Sequence, residues 1–225
     1  MHIPLEDTIA AIITPHGRGG VGIIRISGGL ALEILKRITP SLNIGGMQTQ
    51  RLVLTDFIDA ESGSLADRGF AVVFRKPNSF TGEDCVEIHG HGGEMNMRRL
   101  LSLALKCGAR AARNGEFTMR AFLNGKIDLA QAEAVLEMVE ANSLAALNSA
   151  ALTLEGALSK KIRELREKLL DVLYELEGEI DFPDDIGGGH SALSAGVIES
   201  ILADTGKFIS LFNSQRILHS AIRAG

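Results

Sequence analysis

The amino-acid sequence predicts an α+β fold: a mixed or antiparallel sheet domain with covering helices, followed by an all-α, helical-bundle segment. Short β-branched runs separated by glycine turns fill the first half, whereas no strand-like run follows residue 128. With 225 residues, 45% of them hydrophobic, the chain is long enough to bury a core. We predict two domains, residues 1–124 and 125–225.

Five runs rich in β-branched residues predict the strands of the sheet: DTIAAIITP, VGIIRIS, RLVLTDFI, GFAVVFRK and DCVEIHG. Residues 28–38 and 94–108 interrupt these runs with apolar side chains at helical spacing. The second of these segments ends on Gly108, which suits a helix C-cap. We expect the two helices to cover a mostly antiparallel sheet.

The second half opens with a helix-start signal, because Asp128 is followed three residues later by Gln131, as in a capping box. Further along, apolar residues recur every three or four positions and predict one long amphipathic helix. These residues are Leu158, Ile162, Leu165, Leu169, Val172, Leu176 and Ile180. Pro183 lacks the amide hydrogen of a helix interior and predicts the end of this helix, and another amphipathic run starts at Val197.

Composition and charge limit the partners of the chain. The net charge of −5 repels a phosphate backbone, so we expect any nucleic-acid contact to be local or supplied by a partner. No apolar run approaches the roughly 20 residues of a membrane-spanning helix, and the N-terminus lacks a signal-peptide pattern. Cys85 and Cys107 are too few for a disulfide framework. We expect a cytoplasmic protein without membrane contact.

The glycine-rich stretch GRGGVG, residues 17–22, has the spacing of a dinucleotide-binding loop but not its context. Such a loop opens a helix and is followed about 20 residues later by an acid, whereas VGIIRIS predicts a strand. We interpret the stretch as a glycine-rich hairpin or loop between strands. Its glycines allow a ligand to approach the backbone or satisfy a turn, and the sequence favours neither explanation.

Two charged residues fall within apolar strand patterns. Arg25 shares a strand face with Ile23, and Glu87 lies between Val86 and Ile88. A charge among apolar neighbours is costly unless it is paired. A mutual Arg25–Glu87 salt bridge and a ligand-binding pair both account for these two residues, and the sequence does not choose between them.

The segment HGHGGE places His89, His91 and Glu94 within six residues, and the HxH spacing occurs in two-histidine metal sites. No further His or Cys group supplies the remaining ligands at a recognisable spacing, so we predict no metal site. The phosphate-loop pattern GxxxxGK[ST] and the catalytic patterns GxSxG and HExxH are also missing. We therefore assign no catalytic residue and expect no nucleoside-triphosphate hydrolysis by this chain alone.

A basic stretch between residues 106 and 126 stands out in an otherwise acidic chain. It holds one acid, Glu116, and five basic residues: Lys106, Arg110, Arg113, Arg120 and Lys126. A solvated face and an anion-binding site are both possible interpretations of this composition. Lys126 is the best placed for a ligand contact, because it lies between a C-cap-like Asn124-Gly125 and the Asp128 cap, at the predicted joint between the domains.

Four segments resemble, in this order and spacing, the bacterial and organellar tRNA-modification GTPases of the MnmE or TrmE family. They are TPHGRGGVGIIRISG, PNSFTGEDCVEIHGHGG, GEFTMRAFLNGKIDLAQAEAV and EIDFPDD, and the resemblance covers nearly the whole chain. Two features depart from the family. Asn114 stands where the family usually has proline, and the loop after Asp185 is richer in glycine than the family's acidic stretch.

The resemblance implies an N-terminal α+β domain similar to the folate-binding domains of one-carbon enzymes such as the glycine-cleavage aminomethyltransferase. A helical domain follows, with a Ras-like GTPase domain inserted into it. GTP, magnesium and potassium would bind that inserted domain, which we expect to lie outside this sequence.

The resemblance also implies partners and a reaction. Members form a homodimer through the N-terminal domain and act with an FAD-containing partner, MnmG or GidA. Together they install an aminomethyl or carboxymethylaminomethyl group on carbon 5 of the wobble uridine of tRNA. The one-carbon unit comes from a tetrahydrofolate derivative, either the 5-formyl or the 5,10-methylene form.

Carried over by sequence motif, the family's folate contacts fall on Arg25 in GIIRIS, Glu87 in DCVEIHGHGG and Lys126 in FLNGK. A carboxylate can accept two hydrogen bonds from the amino-pyrimidine edge of a pterin. Arg and Lys can hold a formyl oxygen or the anionic glutamate tail. The resemblance therefore predicts a cofactor site made of these three residues.

Two alternatives stay open at this point. A self-contained folate-dependent one-carbon transferase would need a general acid or base, for which His89, His91 and Asp84 are the nearest candidates. A non-catalytic dimerisation module would use Arg25 and Glu87 only to neutralise each other.

Overall fold

The computed structural model describes residues 7–181, 195–207, 209 and 210. Backbone contacts divide the chain into two compact units, Met1–Ala141 and Asn142–Gly225. The first unit has the predicted α+β composition, and the described part of the second unit is helical, so the predicted fold class is confirmed. In the described ranges, no helix is both long and apolar enough to span a membrane.

One six-stranded sheet forms the centre of the first unit. Its strands are β1 (Ile9–Ile12), β2 (Gly19–Ser27), β3 (Val53–Ile58), β4 (Leu65–Phe74), β5 (Cys85–Gly92) and β6 (Arg110–Ala111). Their order across the sheet is β3-β4-β5-β2-β1-β6, and every neighbouring pair is antiparallel except β1 and β6. The first five strands are the predicted runs, whereas β6 is too short to show a period.

Two helices pack on one face of this sheet, α1 (Ala31–Ile38) and α2 (Glu94–Lys106). Their apolar stripes meet the inward-facing strand residues in a single core. Its fully or almost fully buried members include Ile24, Ile26, Ile34, Leu35, Ile38, Phe57, Val73, Val86, Ile88 and Leu100. Gly108 follows α2 with φ 110°, a value that favours glycine, so the predicted C-terminal glycine signal is correct.

Side-chain alternation decides which residues reach the opposite side of the sheet. Ile24 and Ile26 are fully buried beneath the helices, so Arg25 between them points to the other face. Glu87 lies in the same way between the buried Val86 and Ile88. We call the side of the sheet opposite α1 and α2 the Arg25 face.

The last two helices of the first unit are α3 (Glu116–Leu123) and α4 (Leu129–Glu140). The chain leaves α3 through Asn124 and through Gly125, which has φ 67°. It enters α4 through the predicted capping box, in which Asp128 Oδ1 accepts from the Gln131 amide at 2.9 Å and Gln131 Oε1 accepts from the Asp128 amide at 3.0 Å. Lys126 is therefore held between two defined helix ends.

The second unit contains α5 (Leu144–Leu154), α6 (Ala157–Asp181) and a further helical segment at residues 195–207. The predicted long helix is therefore confirmed, and the predicted run from Val197 is helical at residues 197–207, 209 and 210. Val172 and Ile201 are buried, whereas Ile162 and Ile180 remain exposed. The predicted helix end at Pro183 lies outside the described residues.

Candidate ligand-binding site

Arg25 and Glu87 lie directly opposite each other on the antiparallel strands β2 and β5. The Arg25 Nε and Nη2 groups donate hydrogen bonds to Glu87 Oε1 at 2.9 and 2.7 Å. The two side chains are 22% and 13% exposed, so the pair is partly shielded from water but reachable. The salt bridge that the sequence left open is therefore present. It leaves room for a ligand contact, because both bonds from Arg25 end on one of the two carboxylate oxygens.

Two aromatic rings flank the Arg25 guanidinium. Its Cζ lies 5.2 Å from the ring centre of Phe80 and 5.7 Å from that of Phe117. A cation within about 6 Å of a ring centre is attracted by the ring's quadrupole, so both rings help to hold Arg25 in place. Phe80 belongs to residues 75–84, which connect β4 to β5 and are called the 75–84 loop below. Sequence reasoning missed both rings, because neither falls in a periodic pattern that marks a site.

His89 is the third polar residue on this part of the Arg25 face. Its Nε2 lies 3.4 Å from Glu87 Oε2, the carboxylate oxygen that does not receive the bonds from Arg25. The other two acid–base candidates are engaged elsewhere. His91 Nδ1 lies 2.7 Å from Asp67 Oδ1, and Asp84 Oδ1 accepts from the Lys76 amide at 3.0 Å. Of the three candidates, only His89 therefore joins the Arg25–Glu87 pair.

The HGHGGE segment also raised the question of a metal. Glu94, its last residue, pairs with Arg98 one helical turn away, through a bond of 2.8 Å. Among the residues described, no group of three or more His, Cys, Asp or Glu side chains could hold a metal ion. These histidines instead pair with carboxylates of the sheet.

Lys126, which lies between α3 and α4, contacts the same 75–84 loop as Arg25. Its Nζ donates a hydrogen bond to the backbone carbonyl of Pro77 at 3.0 Å. The loop and the lysine stem pack closely, because a Cβ added at Gly82 would lie 3.2 Å from Lys126 Cγ. Arg25 meets this loop at Phe80. The 75–84 loop therefore connects the three predicted site residues, with Glu87 joined through its bonds to Arg25.

The basic stretch does not form one surface, and three of its members are paired with acids. Lys106 Nζ bonds to Glu61 Oε2 at 2.6 Å on the surface. Arg110 bonds to Glu116 at 2.7 Å, and Arg120 is completely buried among carboxylates. These charges are neutralised by acids that are distant in sequence or buried nearby. The five basic residues therefore do not act together as one anion site, and the solvated-face interpretation holds for Lys106 but not for the buried Arg120.

Buried ionic contacts shift the pKa values in this network. The Arg110 guanidinium, which donates hydrogen bonds to the Glu116 carboxylate, is the main cause that lowers the pKa of Glu116 from 4.5 to about 2. The same bonds raise the pKa of Arg110. Hydrogen bonds from Arg110 likewise lower the pKa of Asp7. The charged forms of these groups are therefore the stable ones in the folded protein.

Of the GRGGVG stretch, only Gly17 and Arg18 lie in the connection between β1 and β2, whereas residues 19–22 already belong to β2. The prediction that the stretch connects two strands therefore holds only for its first two residues, and the predicted strand begins earlier than expected. A Cβ added at Gly22 would lie 2.3 Å from Met97 Sδ, so close packing of β2 against α2 explains this glycine. The loop and the start of α2 line a cavity of about 280 Å³, whose walls include Arg18 and Arg98. Arg25, Glu87 and Lys126 do not line it. The cavity is therefore separate from the site described above.

Comparison with known families identifies both halves of the chain. The family model described as GTP-binding protein TrmE N-terminus matches residues 8–126, and that of the MnmE helical domain matches residues 129–223. The chain belongs to the MnmE family. It carries the N-terminal domain and the helical domain of that family, which confirms the resemblance seen in the sequence motifs.

Several curated MnmE proteins are similar along most of the chain. The protein named tRNA modification GTPase MnmE from Moorella thermoacetica is 43% identical over 222 residues, which cover 97% of this chain and 48% of the relative. Those from Coxiella burnetii and Thermus thermophilus are 49% and 38% identical, and the matches cover 80% and 97% of this chain and 38% and 50% of the relatives. The chain spans at most about half the length of the MnmE relatives it matches.

The division of the chain can be described in two ways. The MnmE helical-domain match begins at residue 129, so it includes α4. Backbone contacts instead group α4 with the sheet, in the unit that ends at Ala141. Our division after residue 124 stays a prediction, as does the assignment of Arg25, Glu87 and Lys126 to a folate site.

Proposed function

We propose that this chain is the tetrahydrofolate-binding and dimerisation portion of a tRNA-modification GTPase, and that Arg25, Glu87 and Lys126 hold the reduced folate. One observation carries the proposal. Arg25, bonded to Glu87, and Lys126 lie about a hundred residues apart in sequence, and both meet the 75–84 loop. A structural role alone would not require a cation at each side of this loop.

The chemistry of the three residues suits a folate. Glu87 Oε2 receives no bond from Arg25, so beside its 3.4 Å contact with His89 Nε2 it can accept hydrogen bonds from the amino-pyrimidine edge of a pterin. Lys126 donates to a neutral carbonyl, so its positive charge is available for the glutamate tail or a formyl oxygen. Phe80, 38% exposed, offers an apolar ring beside the Arg25 guanidinium.

Exposed apolar residues support a homodimer formed through the N-terminal domain. Leu54 and Phe70 are paired across β3 and β4, and Phe70 is paired with His89 on β5. Leu54 and Phe70 are 62% and 45% exposed, and both lie on the Arg25 face. Adjacent exposed apolar side chains on a sheet are typical of a contact surface. In this proposal a second copy covers them and borders the folate site.

The wider reaction follows from the family and is proposed for the whole protein. With an FAD-containing partner, MnmG or GidA, the dimer would form the aminomethyl or carboxymethylaminomethyl group on the wobble uridine of tRNA in the cytoplasm. GTP, magnesium and potassium would act in the GTPase domain. The acidic net charge of this chain, −5, favours a partner that supplies most of the tRNA contact.

Calorimetric titration of the chain with 5-formyl-tetrahydrofolate tests the folate site. We expect saturable binding that Glu87→Ala weakens by roughly 10- to 100-fold, as the loss of a hydrogen bond to a charged group predicts. Asp56→Ala is a matched control, because Asp56 and Arg68 form another cross-strand pair, with a bond of 2.5 Å, two strands away from Glu87. Folded protein that does not bind this folate would refute the site and leave dimerisation as the supported role.

A second candidate function, a self-contained one-carbon transferase, is favoured by one contact. His89 Nε2 lies 3.4 Å from Glu87 Oε2, a suitable arrangement for a carboxylate-oriented acid or base. The test is turnover of 5,10-methylene-tetrahydrofolate with an amine acceptor by this chain alone. Turnover that is lost in His89→Gln, with folate affinity retained, would establish the transferase. No turnover by a chain that binds folate would exclude it.

A further inference from the structure

A buried ionic network lies behind the candidate site, on the side of the 75–84 loop that faces α3. Arg120 is its centre and is completely buried. Its Nη1 bonds to Glu83 Oε1 at 3.1 Å and to the Asp7 carbonyl at 2.8 Å, and its Nη2 bonds to the Asp7 carboxylate. Glu116, one helical turn earlier, lies 3.6 Å from Arg120 and is bonded to Arg110. The network therefore joins the start of the chain, the loop and α3.

The same network is attached to the strand that carries Arg25. Ser27 Oγ donates to Glu83 Oε2 at 2.6 Å and lies 2.7 Å from Thr81 Oγ1. Ser27 is two residues after Arg25 on β2, so both side chains are on the Arg25 face. Asn124, which directly follows α3, donates from its side-chain amide to the Thr81 carbonyl at 2.7 Å. The segment from Thr81 to Glu83 is thus held from β2 on one side and from α3 on the other.

Stability alone is a poor explanation for this arrangement. Removing charged groups from water is costly, and apolar residues of similar size often stabilise a protein equally well. The Arg120 Nε is buried and, among the described residues, has no hydrogen-bond partner, which adds a further cost. A network of directional hydrogen bonds fixes the positions of the groups that it connects, whereas an apolar cluster does not.

We infer that Glu83 and Arg120 are positioning residues for ligand binding: they hold the 75–84 loop where Phe80 stacks on Arg25 and the Pro77 carbonyl meets Lys126. The inference rests on the proposed function for the identity of the ligand, but the placement of the loop does not depend on it. Glu83 is the decisive residue, because its carboxylate receives a bond from β2 through Ser27 and a bond from α3 through Arg120. Loss of either bond should release the loop without removing any group that faces the ligand.

A single introduced tryptophan measures the position of the loop without any ligand. The chain contains no tryptophan, so Phe80→Trp provides one fluorescent reporter. In this background, Glu83→Gln keeps the shape of the side chain and removes the charge that faces Arg120. We expect the reporter to become at least about twofold more accessible to acrylamide, because the loop loses a charge-assisted bond. Unchanged accessibility in a variant that melts cooperatively would overturn the inference.

Two further variants separate a positioning role from a general loss of folding. Ser27→Ala removes the bond from β2 and leaves both charges of the Glu83–Arg120 pair in place, so it should move the reporter in the same direction. Asp56→Ala, in the exposed pair of β3 and β4, should leave the reporter unchanged. Thermal unfolding of each variant is recorded in parallel, and accessibility is compared well below the transition.

Affinity for 5-formyl-tetrahydrofolate then connects the loop to binding, in the background that retains Phe80. We expect Glu83→Gln to weaken binding on the order of tenfold, which is the effect of one lost bond between charged groups. A mobile loop with unchanged affinity would overturn the positioning role. If the unmodified chain does not bind this folate, the proposed function fails, whereas the reporter still decides whether Glu83 and Arg120 hold the loop.

Discussion

Lys126 Nζ donates a hydrogen bond to the backbone carbonyl of Pro77 at 3.0 Å, although the two residues are 49 positions apart in the sequence. The bond ties the joint between α3 and α4 to the 75–84 loop, whose Phe80 stacks on Arg25. A cation that donates to a neutral carbonyl keeps its net charge, unlike Lys106, which is paired with Glu61 at 2.6 Å. Lys126 is therefore the lysine of the basic stretch with the stronger case for binding an anion.

Substitution Lys126→Met tests that assignment. Methionine retains an apolar stem for packing against Gly82 and removes the ammonium group, so we expect 5-formyl-tetrahydrofolate to bind about tenfold more weakly. Titration with 5-formyl-tetrahydropterin, which lacks the glutamate tail, identifies the group that is recognised. A loss with folate alone assigns Lys126 to the tail, and an equal loss with both assigns it to the pteridine.

The control for this comparison is Lys106→Met, which removes a lysine from the same stretch but from a surface pair. It should leave both affinities unchanged. If Lys126→Met, like this control, binds both ligands as tightly as the unmodified chain, Lys126 does not belong to the site.

Substitution Arg25→Lys keeps the charge and should nevertheless weaken folate binding by about tenfold. Lysine cannot reproduce the two bonds that Arg25 Nε and Nη2 donate to Glu87 Oε1, nor the planar guanidinium within about 6 Å of the Phe80 and Phe117 rings. Calorimetry at constant ionic strength measures the change. The matched variant is Arg68→Lys, in the Asp56 pair, for which we expect unaltered affinity. A charge-only role for Arg25 would instead give equal affinity in both variants.

Acid should remove the contribution of Glu116 to stability. Its pKa in the folded protein is about 2, below the ordinary value of 4.5, because Arg110 donates hydrogen bonds to its carboxylate. Because the pKa of Glu116 is lower in the folded than in the unfolded state, its charged form stabilises the folded state above pH 4.5. This contribution is lost as the pH falls through about 2. The side chain is only 1% exposed, so the contribution is on the order of 3 kcal/mol.

Urea unfolding of the chain and of Glu116→Gln, followed by circular dichroism at several pH values, measures this effect. The difference in unfolding free energy between the two proteins should be largest near neutral pH and should shrink between pH 4.5 and 2. A difference that stays constant over that range would show that the Glu116 charge does not carry the stabilisation.

Substitution Asp128→Ala should lower the free energy of unfolding by about 1 kcal/mol, because it removes one half of the capping box that starts α4. Asp128→Asn keeps an oxygen that can accept from the Gln131 amide, so it should restore most of the loss. Urea midpoints of the three proteins provide the measurement. Equal midpoints for Ala and Asn would show that the side-chain oxygen is not what stabilises this helix start.

The regular elements of the first unit were predictable because each one follows from local physical chemistry. Strands β2 and β5 follow from β-branched alternation, α2 from apolar spacing and its glycine end, and the start of α4 from Asp128 and Gln131. The role of the basic stretch stayed open for the opposite reason, because it is not set by local sequence. Whether Arg120 is exposed or buried depends on Asp7 and Glu83, which are far from it in sequence.

By itself, the sequence determined the fold class, and it marked Arg25, Glu87 and Lys126 as unusual residues, because spacing and charge within short segments suffice for these conclusions. The family followed from the resemblance of four longer segments to MnmE proteins. Only the tertiary structure decided that Phe80 and Phe117 flank Arg25, that His89 rather than His91 lies beside Glu87, and that Arg120 of α3 binds Glu83 of the 75–84 loop. Such contacts join residues across strands, loops and helices. They are set by sheet register and by the packing of α3, which no local pattern records.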